Sequence, residues 1–160
     1  MKLPLHIYLF TLEITPLEVG ATYNPLPSHL TLLSRFYSHE PPASIVDRVS
    51  GLFNETRCIE LTFEQSIKIG PKHTSVHLIQ PNAALRKLHT QLLSILDGMG
   101  VEYTQPEYIN EGWKPHVSER DNDGFASGFA HVTKAAYLIE VLKEGESHLR
   151  TIQNRFKLLS

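Results

Sequence analysis

Two amphipathic helical segments interrupt a chain whose other segments alternate apolar and polar residues, and this pattern limits the fold more than any other feature. The clearer helix is predicted within residues 81–100, and Gly98 or Gly100 is expected to end it. Its apolar stripe follows the helical period and consists of Leu85, Leu88, Leu92, Ile95, Leu96 and Met99. A second helix is predicted over residues 41–53, with Ser44 as its cap.

Alternation with a period of two predicts strands along most of the remaining chain. The predicted strands cover residues 5–12, 29–34, 58–69, 75–79, a short stretch at His116, 134–142 and 155–159. No low-complexity linker divides the 160 residues, of which 41% are hydrophobic and 20% charged, as is usual for a folded globular protein. We therefore predict an α+β fold and a single domain over residues 1–160.

The charge balance narrows the range of partners. A formal net charge of −2 gives no overall positive field, so strong attraction to a long nucleic-acid duplex is not expected. A small nucleotide or an RNA end remains compatible with this charge, because a few local cations can bind one or two phosphates.

The cysteine count and the hydropathy pattern bear on the compartment. Cys58 is the single cysteine, so no internal disulfide can form, and no Cys/His spacing resembles a structural zinc site. No apolar run approaches the roughly 20 residues of a transmembrane helix, and the first apolar segment alternates as a strand does. We predict a cytoplasmic monomer without membrane association.

Four histidines are followed two residues later by a serine or threonine, where chance would give about one. The pairs are His29/Thr31, His73/Ser75, His116/Ser118 and His131/Thr133. On a strand, residues i and i+2 project from the same face, so each histidine and its hydroxyl would point together. Two such strands side by side would place two imidazoles and two hydroxyls in one cleft.

That arrangement suits phosphodiester chemistry. One imidazole can accept a proton from an attacking water or ribose hydroxyl, and the other can protonate the leaving oxygen. The hydroxyls can hold the non-bridging oxygens, where negative charge develops. No metal or other cofactor is required.

The neighbouring residues favour His29 and His116 as the catalytic pair. Each follows a proline closely, whereas His131 leads directly into an apolar strand and His73 lies in a predicted loop. His131 remains the main competitor for the second motif.

Further residues near the two motifs are candidates for substrate binding. Arg35 has the parity of the first motif and Arg120 that of the second, so on regular strands both would reach the same face and could bind phosphate. Trp113 and Tyr23 flank the motifs and could stack on a base, although amphipathic aromatic residues often serve ordinary packing.

The segments HLTL and PHVS, with the mixed α/β pattern between them, resemble the 2H phosphoesterase superfamily, which includes 2'-5' RNA ligase-like proteins and cyclic phosphodiesterases. The resemblance implies a bilobal fold, in which two pseudo-symmetric lobes of antiparallel strands with helices flank a central cleft. It also implies metal-independent cleavage or transfer at 2',3'-cyclic or 2'-5'-linked phosphates. It assigns His29 and Thr31 to the first motif and His116 and Ser118 to the second.

Two function classes follow from these observations. The first is a phosphodiesterase acting on a nucleotide, a cyclic oligonucleotide or an RNA end, with His29 and His116 as acid and base in an order that the sequence leaves open. The second is a binding module that holds a nucleotide in the same cleft without turnover. A histidine metal site is a third possibility, which activity that survives in a chelator would remove.

Overall fold

The computed structural model describes residues 3–118 and 127–160, which form an α+β fold of two helices and ten strands. The helices are α1 (Pro42–Glu55) and α2 (Ala83–Asp97). The strands are β1 (His6–Glu13), β2 (Thr22–Tyr23), β3 (His29–Ser38), β4 (Ile59–Ile69), β5 (Thr74–Ile79), β6 (Glu102–Tyr103), β7 (His116–Ser118), β8 (Ala130–Thr133), β9 (Ala135–Glu144) and β10 (Ser147–Lys157). No helix in the described part of the chain is long and apolar enough to cross a bilayer.

The strands form one sheet in the order β2-β10-β9-β1-β3-β7-β5-β4-β8, with β6 paired to β3. Neighbouring strands along this path run antiparallel. The path has two halves, one ending in β3 and the other beginning with β7. The predicted α+β fold of antiparallel strands is confirmed, and the two motif-bearing strands meet where the halves join.

The main core lies on one face of the sheet, where both helices pack. Alternate residues of β1 point into it, and Phe10 contacts Phe53 of α1 with ring centroids 5.9 Å apart. Phe53 in turn stacks on Phe156 of β10 at 4.6 Å. Each such aromatic side chain contributes about 1.5–3 kcal/mol when fully buried. Both helices therefore cover one face of the sheet, and the opposite face carries the two histidine motifs.

A second apolar cluster covers part of that opposite face. The connection between β1 and β3 folds over the sheet, so that Leu17 and Leu26 pack with Tyr137 and Ile139 of β9. The backbone N–H of Leu17 donates to the Tyr137 hydroxyl at 3.0 Å. The remainder of this face is left open beside His29 and forms a cleft.

The two helices begin differently from one another. The predicted cap at Ser44 is wrong: α1 begins at Pro42 after an extended Pro41, and no side chain caps it, because proline at the first position has no N–H to satisfy. In α2 the side chain of Asn82 accepts a hydrogen bond from the Leu85 N–H at 3.0 Å, and Gly98 ends the helix as expected.

The last strands are longer than their sequence pattern indicates. The segment predicted as 134–142 is preceded by the separate strand β8, and the segment predicted as 155–159 is the end of β10, which starts at Ser147. β9 and β10 pair along their length from a turn at Gly145, which has a φ of 59°, with one register shift between Ile152 and Asn154. Most residues of β10 are polar, so the sequence shows no apolar alternation there. The strand is held by pairing with β9 rather than by burial.

Candidate active site

The first motif lies on β3, where alternation separates a core face from a cleft face. Leu30 and Leu32 are fully buried in the main core, while His29 and Thr31 project to the other side. On the neighbouring strand β1, Glu13 is opposite His29 and Thr11 is opposite Thr31. The predicted orientation of the histidine and its hydroxyl therefore matches the structure.

The second motif lies on β7, the strand beside β3 in the other half of the sheet. Leu30 and Val117 are directly opposite each other, and both are fully buried. Continuing this antiparallel register places His29 opposite Ser118 and Thr31 opposite His116. Side chains directly opposite each other on adjacent strands have Cβ atoms about 4.5–5.5 Å apart, so all four groups lie on one face of the sheet. His29, Thr31 and Ser118 line the cleft, whereas His116 is not among its lining residues.

Both histidines are held by the same local hydrogen bond. Nδ1 of His29 donates to the carbonyl of Pro27 at 2.8 Å, and Nδ1 of His116 donates to the carbonyl of Lys114 at 2.8 Å. A carbonyl oxygen only accepts, so the proton of each neutral ring is on Nδ1 and the lone pair on Nε2. The two rings are therefore matched in tautomer.

Arg35 lies on an irregular part of β3. Between the pairs Phe10/Leu33 and Tyr8/Phe36 the strand carries one extra residue, so Ser34 and Arg35 together oppose Leu9. A second extra residue follows the first motif, between the partners of Phe10 and Thr11. The prediction assumed a regular strand, which β3 is not, but the two bulges compensate and Arg35 lines the cleft.

The cleft has a volume of about 270 Å³ and a mostly polar lining. It is lined by Leu9, Pro25, Leu26, His29, Thr31, Ser34, Arg35, Gln105, Ser118 and Arg150. Sequence reasoning missed Ser34, Gln105 and Arg150. Arg150 follows the hairpin between β9 and β10, a part of the chain that the sequence pattern left outside the strands.

Two buried hydroxyls lie on the cleft face. Oγ1 of Thr11 and Oγ of Ser34 have no hydrogen-bond partner among the described residues. Thr11 is fully buried beside Thr31, and Ser34 lines the cleft. Buried hydroxyls are usually hydrogen-bonded, so these two are exceptions among the described residues.

Trp113 is not brought to the cleft. It is 7% exposed, its ring stacks on His89 with centroids 4.0 Å apart, and its indole N–H donates to the Thr31 carbonyl at 3.2 Å. It lines a separate, larger cavity of about 680 Å³ together with Arg86 and Pro115. Its position supports the strand that carries the first motif.

The other two predicted substrate-binding residues are Tyr23 and Arg120. Tyr23 is on β2, opposite Arg150, and its hydroxyl accepts from the Glu18 N–H at 3.0 Å while the ring packs on the second apolar cluster. The structure brings it near Arg150 and not among the residues that line the cleft. Arg120 lies outside the described residues.

The competing pair on β8 is arranged differently from the two motifs. Nε2 of His131 donates to the carbonyl of Glu13 at 3.1 Å, so its outer ring nitrogen carries the proton. The hydroxyl of Thr133 is fully buried and donates to the carbonyl of Ala135 at 3.3 Å. In the other two motifs Nδ1 of the histidine donates to a carbonyl, so His131 has the opposite tautomer.

A fully buried histidine was missed by sequence reasoning, which treated it as a surface or half-buried residue. His89 of α2 donates from Nδ1 to the Leu32 carbonyl at 2.8 Å and accepts at Nε2 from the Asn110 N–H at 3.0 Å. Burial lowers its pKa, and the charge of Arg86 adds to the effect.

His77 is also buried, at 3% exposure. Within residues 3–118 and 127–160, no three His, Cys, Asp or Glu side chains are grouped closely enough to hold a metal ion.

Several solved structures share this fold. A protein described as a phosphoesterase is 16% identical, with 97% of this chain and 99% of the other covered and a TM-score of 0.65. LigT of E. coli, in a complex with 3'-AMP, is 14% identical, with 98% and 100% covered and a TM-score of 0.65. The protein TT0787 of Thermus thermophilus is 14% identical, with 95% and 97% covered and a TM-score of 0.58. At these identities the likeness concerns the fold.

The sequence itself identifies the family. No curated protein matches the chain at a significant level. The family model described as the 2'-5' RNA ligase superfamily, however, matches residues 4–159, nearly the whole chain. This match and the LigT-like fold confirm the resemblance drawn from the two motifs, and the chain belongs to the 2'-5' RNA ligase superfamily of 2H phosphoesterases.

Proposed function

We propose that this protein is a metal-independent phosphodiesterase whose general acid and base are His29 and His116. The matched hydrogen bonds from Nδ1 to a carbonyl two residues earlier carry the proposal, because they leave both Nε2 atoms suited to proton transfer. The substrate would be a nucleotide-type phosphodiester: a 2',3'-cyclic phosphate, a 2'-5' linkage or a cyclic oligonucleotide.

In the proposed reaction, one Nε2 takes a proton from the attacking water or ribose hydroxyl as a new P–O bond forms. The other imidazole, protonated at the start, gives its proton to the leaving oxygen as the old P–O bond breaks. Thr31 and Ser118 donate hydrogen bonds to the non-bridging oxygens, and Arg35 balances their charge. Each turnover exchanges the protonation of the two histidines, so the reverse reaction, ligation, uses the same groups in opposite roles.

The solved relatives support a nucleotide as ligand. LigT of E. coli has been crystallised with 3'-AMP, with ATP and with NADP+, each of which carries at least one phosphate. The cleft of this chain has the polar lining and the arginines that such a ligand requires.

The test is a product assay in excess chelator on 2',3'-cyclic nucleotides, 2'-5' oligoadenylate and cyclic dinucleotides. We expect His29→Ala and His116→Ala each to lower kcat by about 10²–10⁴-fold on the substrate that wild type turns over. His73→Ala is the matched control, because His73 is exposed in a turn and also precedes a serine by two residues. Thermal unfolding of each variant separates lost activity from lost folding.

Other outcomes would change the proposal in defined ways. Activity that survives in His116→Ala and is lost in His131→Ala would assign the second role to β8. Saturable binding of a nucleotide that is recovered unchanged would identify the chain as a binding module. Activity abolished by chelator and restored by a divalent cation would replace the metal-free mechanism.

A further inference from the structure

We propose that a groove continuing from the cleft binds a second phosphate of the substrate, one nucleoside unit away from the phosphate that reacts. This inference rests on the proposed function and narrows its substrate class. The substrate would be a 5'-phosphorylated nucleoside cyclic phosphate or an oligonucleotide end, in preference to a cyclic mononucleotide with a free 5'-hydroxyl.

The groove is a direct extension of the cleft. A second cavity of about 250 Å³ shares Arg35 and Gln105 with the cleft that contains His29. Its other lining residues are Ile7, Tyr37, Thr104 and Lys143. Arg35 thus stands between the two cavities and can contact an anion in either.

The strand registers place further positive side chains on the same face. Lys143 of β9 lies opposite His148 of β10, and Arg150 lies opposite Val141. Val141 belongs to the second apolar cluster, which covers the cleft face, so its partner Arg150 is on that face and lines the cleft. Lys143 has the same parity as Val141, so it projects to that side as well.

The charges are close enough to affect one another. Partial burial lowers the pKa of His148, and the positive charges of Arg35, Lys143 and Arg150 lower it further. The whole chain has a formal charge of −2, so this positive region is local. Glu102, which lies opposite Tyr37 and is exposed, is an acidic side chain at the far margin of the groove. A local cluster of cations at a cleft concentrates anionic ligands there.

The spacing along the sheet fits two phosphates of one nucleotide. Thr31 is opposite Thr11, and Tyr37 is opposite Ile7, four residues away on β1. At about 3.3 Å per residue, the far end of the groove is roughly 13 Å from the first motif, and Arg35 lies about midway. The two phosphates of one nucleoside are separated by about half of this distance, so with one phosphate at the histidines the other lies near Arg35, in the cavity that Lys143 also lines.

Equilibrium binding tests the groove without requiring turnover. Adenosine 3',5'-bisphosphate and adenosine 3'-monophosphate are compared by calorimetry at about 0.15 M ionic strength. We expect wild type to bind the bisphosphate about tenfold more tightly or better, and Lys143→Met to lose most of that ratio. Lys143→Arg should retain the preference. Lys87→Met should also retain it, because Lys87 is exposed on α2, on the other side of the sheet.

The inference and the proposed function can fail separately. A ratio near one in wild type, or a ratio unchanged in Lys143→Met, would overturn the second phosphate site even if cyclic phosphates are hydrolysed. A clear ratio without hydrolysis of any phosphodiester would keep the site and overturn the catalytic proposal. Where hydrolysis occurs, kcat/KM should be about tenfold higher for adenosine 2',3'-cyclic phosphate carrying a 5'-phosphate than for the form lacking it.

Discussion

The indole N–H of Trp113 donates to the backbone carbonyl of Thr31 at 3.2 Å, and this bond links the residues just ahead of the second motif to the first motif itself. His89 lies under the same indole at 4.0 Å and holds the next carbonyl along β3, that of Leu32. The side chain of Arg86 donates to the carbonyls of Asn110 and Trp113 at 2.8 and 3.3 Å. These contacts join the segment ahead of the second motif to the strand that carries the first motif, on the side of the sheet where α2 packs.

Trp113→Phe should remove the hydrogen bond to the Thr31 carbonyl while keeping an aromatic ring in place. Loss of the hydrogen bond is expected to cost about 1 kcal/mol of unfolding free energy and to reduce kcat more than it raises KM. Denaturant unfolding and steady-state kinetics on the same samples measure both effects. Tyr103→Phe is the control, since it removes a hydrogen bond to Asp97 of α2, on the core face of the sheet rather than the cleft face. Equal kinetic effects from the two variants would contradict a positioning role for Trp113.

His89 should make stability depend on pH. Its pKa is lowered by burial in the folded state, so below the unfolded value of about 6.5 the unfolded chain binds more protons than the folded one. Stability should therefore be complete above pH 6.5 and fall as the pH drops below it, by up to about 1.4 kcal/mol per pH unit for this one group.

The measurement is urea unfolding between pH 5 and pH 7.5. In His89→Gln the slope of unfolding free energy against pH should be shallower than in wild type, although the variant is less stable overall. His39→Gln, at an exposed position, is the control and should keep the wild-type slope. A wild-type slope retained in His89→Gln would show that another group causes the acid sensitivity.

The hydroxyl of Thr31 should act on the transition state, and its methyl group should not matter to the chemistry. Thr31→Val has nearly the same shape but cannot donate, and is expected to lower kcat by about 10²–10³-fold with little change in thermal stability. Thr31→Ser should recover most of the activity. Thr62→Val on β4 is a matched change on another strand. Full activity in Thr31→Val would remove the hydroxyl from the mechanism.

Tyr137 should anchor the loop that forms one wall of the cleft. Its hydroxyl accepts from the buried Leu17 N–H and donates to the Glu13 carboxylate, so Tyr137→Phe leaves a buried donor unsatisfied. We expect a loss of about 1–3 kcal/mol in unfolding free energy. Tyr23→Phe removes a similar bond to the Glu18 N–H, but that amide is exposed and water can replace the hydroxyl. A smaller loss in Tyr137→Phe than in Tyr23→Phe would contradict this account.

The sequence alone determined the motifs and the face on which each lies. Period-two alternation around His29 and His116 is a local property of an extended chain, and the burial of Leu30 and Val117 in the core agrees with it. The apolar stripe of α2 could also be predicted from the sequence, because helical spacing repeats within a few turns of one segment. The start of α1 was missed because two consecutive prolines replaced the side-chain cap that the pattern suggested.

Only the tertiary structure decided how these elements meet. Arg35 keeps its predicted face only because two bulges in β3 compensate for each other, and Arg150 reaches the cleft on a strand whose polar residues gave no apolar pattern. Trp113 is turned away from the cleft because His89, distant in sequence, stacks on it. Strand register, bulges and long-range stacking are contacts between distant segments, so no window of sequence contains them, whereas alternation and helical spacing are fixed by the local geometry of the backbone.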